Sequence, residues 1–267
     1  MKIGLALGGG GARGFAHLGV IARLAELGIH PVCVSGTSIG AIVGGILASG
    51  TLKRAFAWCA EPDWKKLPRI LLYARPTGKA LINGRQIENL LGDFIPVRTF
   101  QELSMPFAAI ATDLNTGERV VMRDGNLMSA IRASMSIPGV FSPVDREGRV
   151  LVDGGLVDPL PVAACRELGA EYVIAVDINP PEEPSAHKPF DKINIFDVMI
   201  GTLRIFNCEM TRHVLAAGGA PEVLLRPAVG GVMALDFRRA ERLIEIGRRT
   251  VDEHIDELKD VLRLASQ

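Results

Sequence analysis

The sequence predicts an α/β fold, three layers deep, with a mainly parallel central sheet covered by helices on both faces. Three observations predict it. Short apolar runs recur that suit buried strands, at Lys2–Leu7, Val32–Ser35 and Tyr172–Asp177. The first two each end in a glycine-rich turn and then in apolar residues at helical spacing. A chain of 267 residues, 48% hydrophobic and 22% charged, can also form one sizeable core, so we expect one domain over residues 1–267.

Taken in order, Lys2–Leu7 is the first strand and Gly8–Gly11 its turn. Gly14–Leu27 carries Phe15, Leu18, Ile21, Ala22 and Ala25 on one helical face, with Gly28 as the stop. Val32–Ser35 is the second strand and Ile39–Ala48 the second helix. Leu52 to about Phe100 is less regular, a cap with short helical pieces around Leu52–Ala60 and Arg85–Leu91. Phe107–Thr112 and Glu118–Met122 flank the turn Asn115-Thr116-Gly117 and predict a hairpin. Leu127–Ser134 is a helix ended by Ile137-Pro138-Gly139, and Arg149–Val152 is a strand running into Asp153-Gly154-Gly155. After Tyr172–Asp177 comes a Pro/Glu loop, Pro180–Pro189. Two long helices, about Ile193–Ala217 and Phe237–Leu264, form a C-terminal helical region around a short strand, Val223–Leu225. The last helix gathers Leu243, Ile244, Val251, Ile255, Leu258, Val261 and Leu262 on one side, a face suited to covering the sheet.

Charge excludes some partners. Thirty basic residues balance thirty acidic ones, which argues against nucleic acid and against membrane attraction driven by bulk positive charge. Cys33, Cys59, Cys165 and Cys208 are scattered without a CxxC pair and read as buried thiols, not a zinc site or disulfide frame. The apolar run after Met1-Lys2 is too short for a signal peptide. Pro31–Leu52 is uncharged, but Ser35-Gly36-Thr37-Ser38 breaks it into strand, turn and helix. A cytoplasmic protein is the expectation.

Two motifs carry chemistry. Gly36-Thr37-Ser38-Ile39-Gly40 is a G-x-S-x-G between a β-branched strand and a helix of small residues. Such an elbow pushes its serine into a strained, exposed position at the carboxyl end of the sheet, and Gly36 and Gly40 let strand and helix approach. The bland reading is a serine that merely caps a helix. Gly8-Gly9-Gly10-Gly11-Ala12-Arg13-Gly14 contains G-x-G-x-x-G from Gly9 to Gly14. The second strand lacks the acidic residue a dinucleotide site needs, and no Gly-Lys-Ser/Thr is present for a phosphate loop. A glycine-rich oxyanion hole remains, built from backbone N–H groups of Gly9, Gly10 and Gly11. Arg13 either holds this loop, meets a phosphate or makes a structural ion pair.

The base is harder to read. His187 lies in the Pro/Glu loop, His213 and His254 lie mid-helix among charges, and His17 sits inside the first helix, where packing or capping is its natural role. His30 occupies no late loop either, so none fits a triad. Asp153 ends a strand before Gly154-Gly155, which leaves its carboxylate free to point inward. From the dipeptide alone a structural Asp-Gly turn is the simpler reading.

The ordered set Gly-Gly-Gly-x-Arg-Gly, Gly-x-Ser-x-Gly and Asp-Gly-Gly resembles the patatin-like phospholipase family, especially its small bacterial, NTE-type members. The similarity extends through Ala111–Gly117, Ile131–Gly139 and Leu156–Val162, covering most of the chain from Ile3 to about Ile178. It is weak in Leu52–Phe100 and from Pro180 on. The third motif is Asp-Gly-Gly where Asp-Gly-Ala is also common. The resemblance implies a patatin-like fold, related to but distinct from the α/β-hydrolases. It also implies a Ser38–Asp153 dyad without histidine, no cofactor and no metal, and a lipid or ester substrate of phospholipase A or lysophospholipase type.

Two other functions stay open on the residues: a carboxylesterase or thioesterase acting on soluble substrates, and a non-catalytic regulatory protein that kept the fold. Trp58, Trp64, Lys65, Lys66, Leu67, Ile70, Leu71, Leu72 and Tyr73 mix aromatic, aliphatic and basic residues. They read either as a lipid-facing lid with peripheral membrane contact or as a cap packed on the core. Oligomeric state is not legible.

Overall fold

The computed structural model describes residues 1–60, 84–179, 193–217, 219–233 and 236–265. The run Trp64–Tyr73 and the loop Pro180–Pro189 lie outside the described residues. Strands are β1 (Ile3–Leu7), β2 (Cys33–Thr37), β3 (Phe107–Asp113), β4 (Arg119–Met122), β5 (Val144–Arg146), β6 (Arg149–Asp153), β7 (Tyr172–Val176) and β8 (Val223–Leu225). Helices are α1 (Phe15–Glu26), α2 (Ile39–Ala48), α3 (Leu52–Ala60), α4 (Gly84–Phe94), α5 (Leu127–Ser134), α6 (Val162–Glu167), α7 (Ile195–Ala216), α8 (Ala240–Glu253) and α9 (Ile255–Ala265).

The strands form one mixed sheet with hydrogen-bonded order β5-β6-β3-β2-β1-β7-β8, and β4 also pairs with β3. The β3-β2-β1-β7-β8 core is parallel, while β4, β5 and β6 run antiparallel to their neighbours. The sheet is an inner layer because both faces of its strands are apolar. Alternate residues of β1 separate the layers: Ile3, Leu5 and Leu7 pack with α1, α2 and α8, whereas Ala6 packs with α6 and Leu215 of α7. α1 and α8 approach to backbone contact. A methyl on Gly19 would come within 1.9 Å of the Ile244 carbonyl oxygen, and one on Gly247 within 2.0 Å of that of Ala16. In the C-terminal region the apolar residues Leu243, Val251, Leu258 and Val261 are buried, and α8 lies against α1.

Three details depart from the sequence reading. β5 and α6 are additional elements, both short. The predicted last helix is two helices, α8 and α9, meeting at His254. No Gly or Pro stands there. Instead the His254 ring Nδ1 donates to the Thr250 carbonyl at 2.9 Å, the acceptor its own amide would use in a continuous helix.

One register places the site. Ile110 pairs with both Thr37 and Val121, and Ala111 with both Val120 and Asp153. β4 thus takes one edge of β3, while β2 and then β6 occupy the other, end to end. Consecutive residues of β3 bring the end of β2, and so Ser38, against the end of β6, which is Asp153.

Candidate active site

Ser38 joins β2 to α2 with φ 56° and ψ −120°, a left-handed conformation for a residue with a side chain. Such a backbone costs on the order of 1–3 kcal/mol and persists only where the surroundings enforce it. The enforcement is steric as well as hydrogen-bonded. A methyl on Gly36 would lie 2.2 Å from the Gly40 carbonyl oxygen, and one on Gly40 would lie 2.1 Å from that of Leu7. Strand, elbow and helix thus touch through bare backbone.

Ser38 Oγ donates to Asp153 Oδ2 at 2.6 Å, and the other carboxylate oxygen, Oδ1, accepts from the Gly155 amide at 2.8 Å. Both side chains are buried, Ser38 at 7% exposure and Asp153 at 6%. Burial pushes the Asp153 carboxyl up to about 6, against the opposing pull of its bonds from Ser38 and Gly155. A carboxylate with that affinity for protons is a better acceptor for a hydroxyl proton than an exposed aspartate is. The backbone of Asp153 is fixed at both ends: its amide donates to the Ser136 carbonyl at 3.0 Å, and its carbonyl accepts from Thr112 Oγ1 at 2.9 Å.

The glycine loop lies beside the serine. A methyl on Gly9 would sit 3.4 Å from Ser38 Cβ. Of the three amides expected to act together, that of Gly9 is already engaged, donating to the Pro159 carbonyl at 3.0 Å, so Gly9 shapes the loop instead of offering a free donor. Among the described residues the amides of Gly10 and Gly11 meet no protein acceptor. Gly11, at φ 62°, adopts a backbone that side chains disfavour.

Arg13 is buried and holds this loop. Its guanidinium donates from Nε to the Val232 carbonyl at 2.9 Å and from Nη1 to Asn179 Oδ1 at 2.6 Å. Asn179 Nδ2 in turn donates to the Gly9 carbonyl at 2.7 Å. Gly14 is required for packing, since a methyl there would lie 2.1 Å from Ile39 Cγ1. Gly154 is similarly confined, 2.4 Å from the Ile110 carbonyl oxygen by the same construction, and Gly155 lies against Asn207 of α7.

His17 is not brought to the dyad. Its Nε2 donates to the Gly8 carbonyl at 2.8 Å, and complete burial lowers the ring's affinity for protons to about 4, so it stays neutral. The four cysteines are buried and unbridged. Among the described residues no His, Cys, Asp and Glu side chains gather into a metal-binding group, and no helix is long and apolar enough to cross a membrane.

An apolar cleft opens from Ser38, Gly11 and Gly14. It contains about 1030 Å³ of empty space counted out to its open side. Its floor is one stripe of α2, Ile39, Ile42, Val43 and Ile46. Its walls come from Ala55, Trp58 and Cys59 of α3, Leu91 and Phe94 of α4, and Met135, Ile137, Phe141 and Phe237. Trp58 and Phe94 meet edge to face with centroids 5.4 Å apart, tying the two cap helices together. Within the described part of the cap, the aromatic residue singled out from the sequence is thus a wall of the cleft.

Sequence reasoning missed Ser134, Ser136 and Asn179. Ser134 Oγ accepts the Ser38 amide at 3.0 Å. Both serines lie in the stretch Ile131–Gly139 that carried the family resemblance, yet they read only as a helix end. Asn179 follows β7 at the carboxyl edge of a parallel sheet, where ligand-side residues gather; that position was the available signal.

Comparison with known proteins identifies the family and the fold. Residues 5–166 match the family model described as patatin-like phospholipase. Similar proteins include an uncharacterized NTE family protein of Mycobacterium tuberculosis (strain ATCC 25618 / H37Rv). It is 40% identical over 178 residues, covering 67% of this chain and 49% of the relative. A patatin-like phospholipase domain-containing protein of Caenorhabditis elegans is 34% identical over 283 residues, covering 96% of this chain and 21% of the relative. The chain therefore spans about half the length of the first of these relatives and about a fifth of the second. Among solved structures, VipD from Legionella pneumophila shares the fold with a TM-score of 0.56 at 14% identity, over 96% of this chain and 66% of that one. On the family-model match and these identities, the chain belongs to the patatin-like phospholipase family.

Proposed function

We propose that this protein is a serine lipid-acyl hydrolase that cleaves carboxylic esters through Ser38 as nucleophile and Asp153 as base. The observation that carries the reading is the 2.6 Å hydrogen bond from Ser38 Oγ to Asp153 Oδ2 at the mouth of an apolar cleft. Asp153 removes the proton as Ser38 Oγ attacks the ester carbonyl, and returns it to the leaving alcohol as the acyl-enzyme forms. Water then attacks the acyl-enzyme, with Asp153 taking its proton, and the carboxylic acid leaves as Ser38 regains its hydrogen. The Gly10 and Gly11 amides are the candidate oxyanion donors, because they meet no acceptor among the described residues and Gly11 lines the cleft with Ser38. A donor of this kind lowers the barrier by about 3–4 kcal/mol. The start of α2 adds its positive dipole end.

The cleft walls favour an acyl chain over a small polar group, which supports glycerophospholipids and lysophospholipids as the substrate class. The test has two arms. A fluorophosphonate probe labels the wild type but neither Ser38→Ala nor unfolded protein. A panel of phospholipids, lysophospholipids and glycerides, read by mass spectrometry, loses fatty acid only with active protein. Labelling that survives in Ser38→Ala removes Ser38 from the mechanism, and an untouched panel removes the lipid substrate.

A further inference from the structure

We infer that Ser134 is a positioning residue for the nucleophile, and that Ser134–Met135–Ser136 sets the geometry of the dyad. The inference rests on the catalytic reading of Ser38 and Asp153. The strained backbone of Ser38 is held on its two sides by different means. Its carbonyl accepts from the amides of Ala41 and Ile42, the bonds any helix start supplies. Its amide has no such built-in partner at the end of β2, and the acceptor it finds is the buried Oγ of Ser134, at 3.0 Å. Without that acceptor a buried N–H would be unsatisfied, and rotating φ away from 56° would relieve it. The same rotation carries Cβ and Oγ away from Asp153.

Two residues further on, the Ser136 carbonyl accepts the Asp153 amide at 3.0 Å. One three-residue segment therefore binds the main chains of both dyad members, which are 115 residues apart in sequence. The segment is itself anchored from behind. Arg132, buried, donates from Nη1 to Ser136 Oγ at 2.8 Å and from Nη2 to the Ser142 carbonyl at 3.0 Å. Met135, between the two serines, lines the acyl cleft.

The test uses the full chain and p-nitrophenyl butyrate. Ser134→Ala is expected to lower kcat about 10- to 100-fold, the scale of a small displacement of a reacting atom. KM should move less than about twofold because the cleft is untouched, and the pH midpoint of kcat should shift upward because Asp153 loses the bond from Ser38 that opposes the effect of burial. The rate of fluorophosphonate labelling should fall by the same factor as kcat. Thr250→Val is the control, since it removes a buried hydroxyl bond within α8, far from the dyad in the fold. Its kcat should match wild type. A Ser134→Ala enzyme with wild-type kcat overturns the inference, and so does an equal fall in both variants. Should Ser134→Ala not fold, Ser134→Thr carries the test: it retains the acceptor, and loss of its activity in a folded protein overturns the proposal. Full activity in Ser38→Ala would overturn the catalytic reading itself, a separate failure.

Discussion

Asp153 sits where two demands oppose each other. As a base it must ionise, yet its surroundings resist the charge and raise its carboxyl from 3.8 to about 6. Below pH 3.8 the group is protonated in folded and unfolded chains alike and carries no penalty. Between 3.8 and about 6 the unfolded chain releases the proton and the folded one keeps it. Above 6 both are ionised, and the folded state bears the full cost, on the order of 2–3 kcal/mol. Asp153→Asn removes that cost, and it can keep both hydrogen bonds because the serine hydroxyl can accept as readily as donate. We predict an inactive variant more stable than wild type at pH 8 by up to that amount, the advantage fading to nothing near pH 4. Denaturant midpoints of the pair across this range test it; comparing the pair cancels His17, whose lowered proton affinity weakens both proteins in acid. Wild-type kcat/KM should rise through about pH 6 as the base ionises, and a midpoint near 4 would mean that Asp153 is not the base. Ser38 was legible in the sequence because its neighbours announce a turn with a strand before it and a helix after it. Asp153 was legible only beside the family motifs. Ser134 was not, because its partner is a backbone amide 96 residues away.

At the scale of elements, periodicity and glycine placement gave most of the parallel core. Strands that alternate between two buried faces, followed by glycine turns, have few other ways to satisfy their backbones. The short pieces β5 and α6 carry too few residues for a period to show. The break between α8 and α9 depends on one side chain outcompeting one amide, which no pattern reveals. The same framework predicts opposite signs for two glycine substitutions. Gly40→Ala forces a methyl to 2.1 Å from the Leu7 carbonyl oxygen, backbone that cannot swing aside, and should destabilise by roughly 3 kcal/mol or more. Gly92→Ala lies on the exposed side of α4 with nothing within 4 Å of the added methyl. It should stabilise by about 0.5–1 kcal/mol through helix propensity. Thermal or urea midpoints decide both, and a stabilised Gly40→Ala would mean that α2 does not start against β1 as described.

Across the whole molecule, the cleft is where sheet end, α2 and cap meet, and it was the least legible feature. Its lining comes from stretches scattered between Gly11 and Phe237, each of which reads as ordinary core. Its length follows from α2. The stripe from Ile39 to Ile46 spans seven residues, about 10.5 Å at the helical rise of roughly 1.5 Å. An extended alkyl chain built of bonds of about 1.5 Å advances roughly 1.3 Å per methylene, so about eight carbons lie along that floor. Each methylene moved from water into the cleft contributes about 0.8 kcal/mol, or nearly fourfold in kcat/KM. In a p-nitrophenyl ester series, kcat/KM should therefore climb steeply from acetate to about octanoate or decanoate and then level off. Ile46→Trp fills the far end and should move the plateau several carbons shorter while leaving acetate turnover unchanged. Ile46→Ala should move it longer. A flat series would remove the cleft from substrate binding and leave a general esterase. A plateau that ignores both Ile46 variants would mean that the chain leaves Ser38 in another direction than along α2.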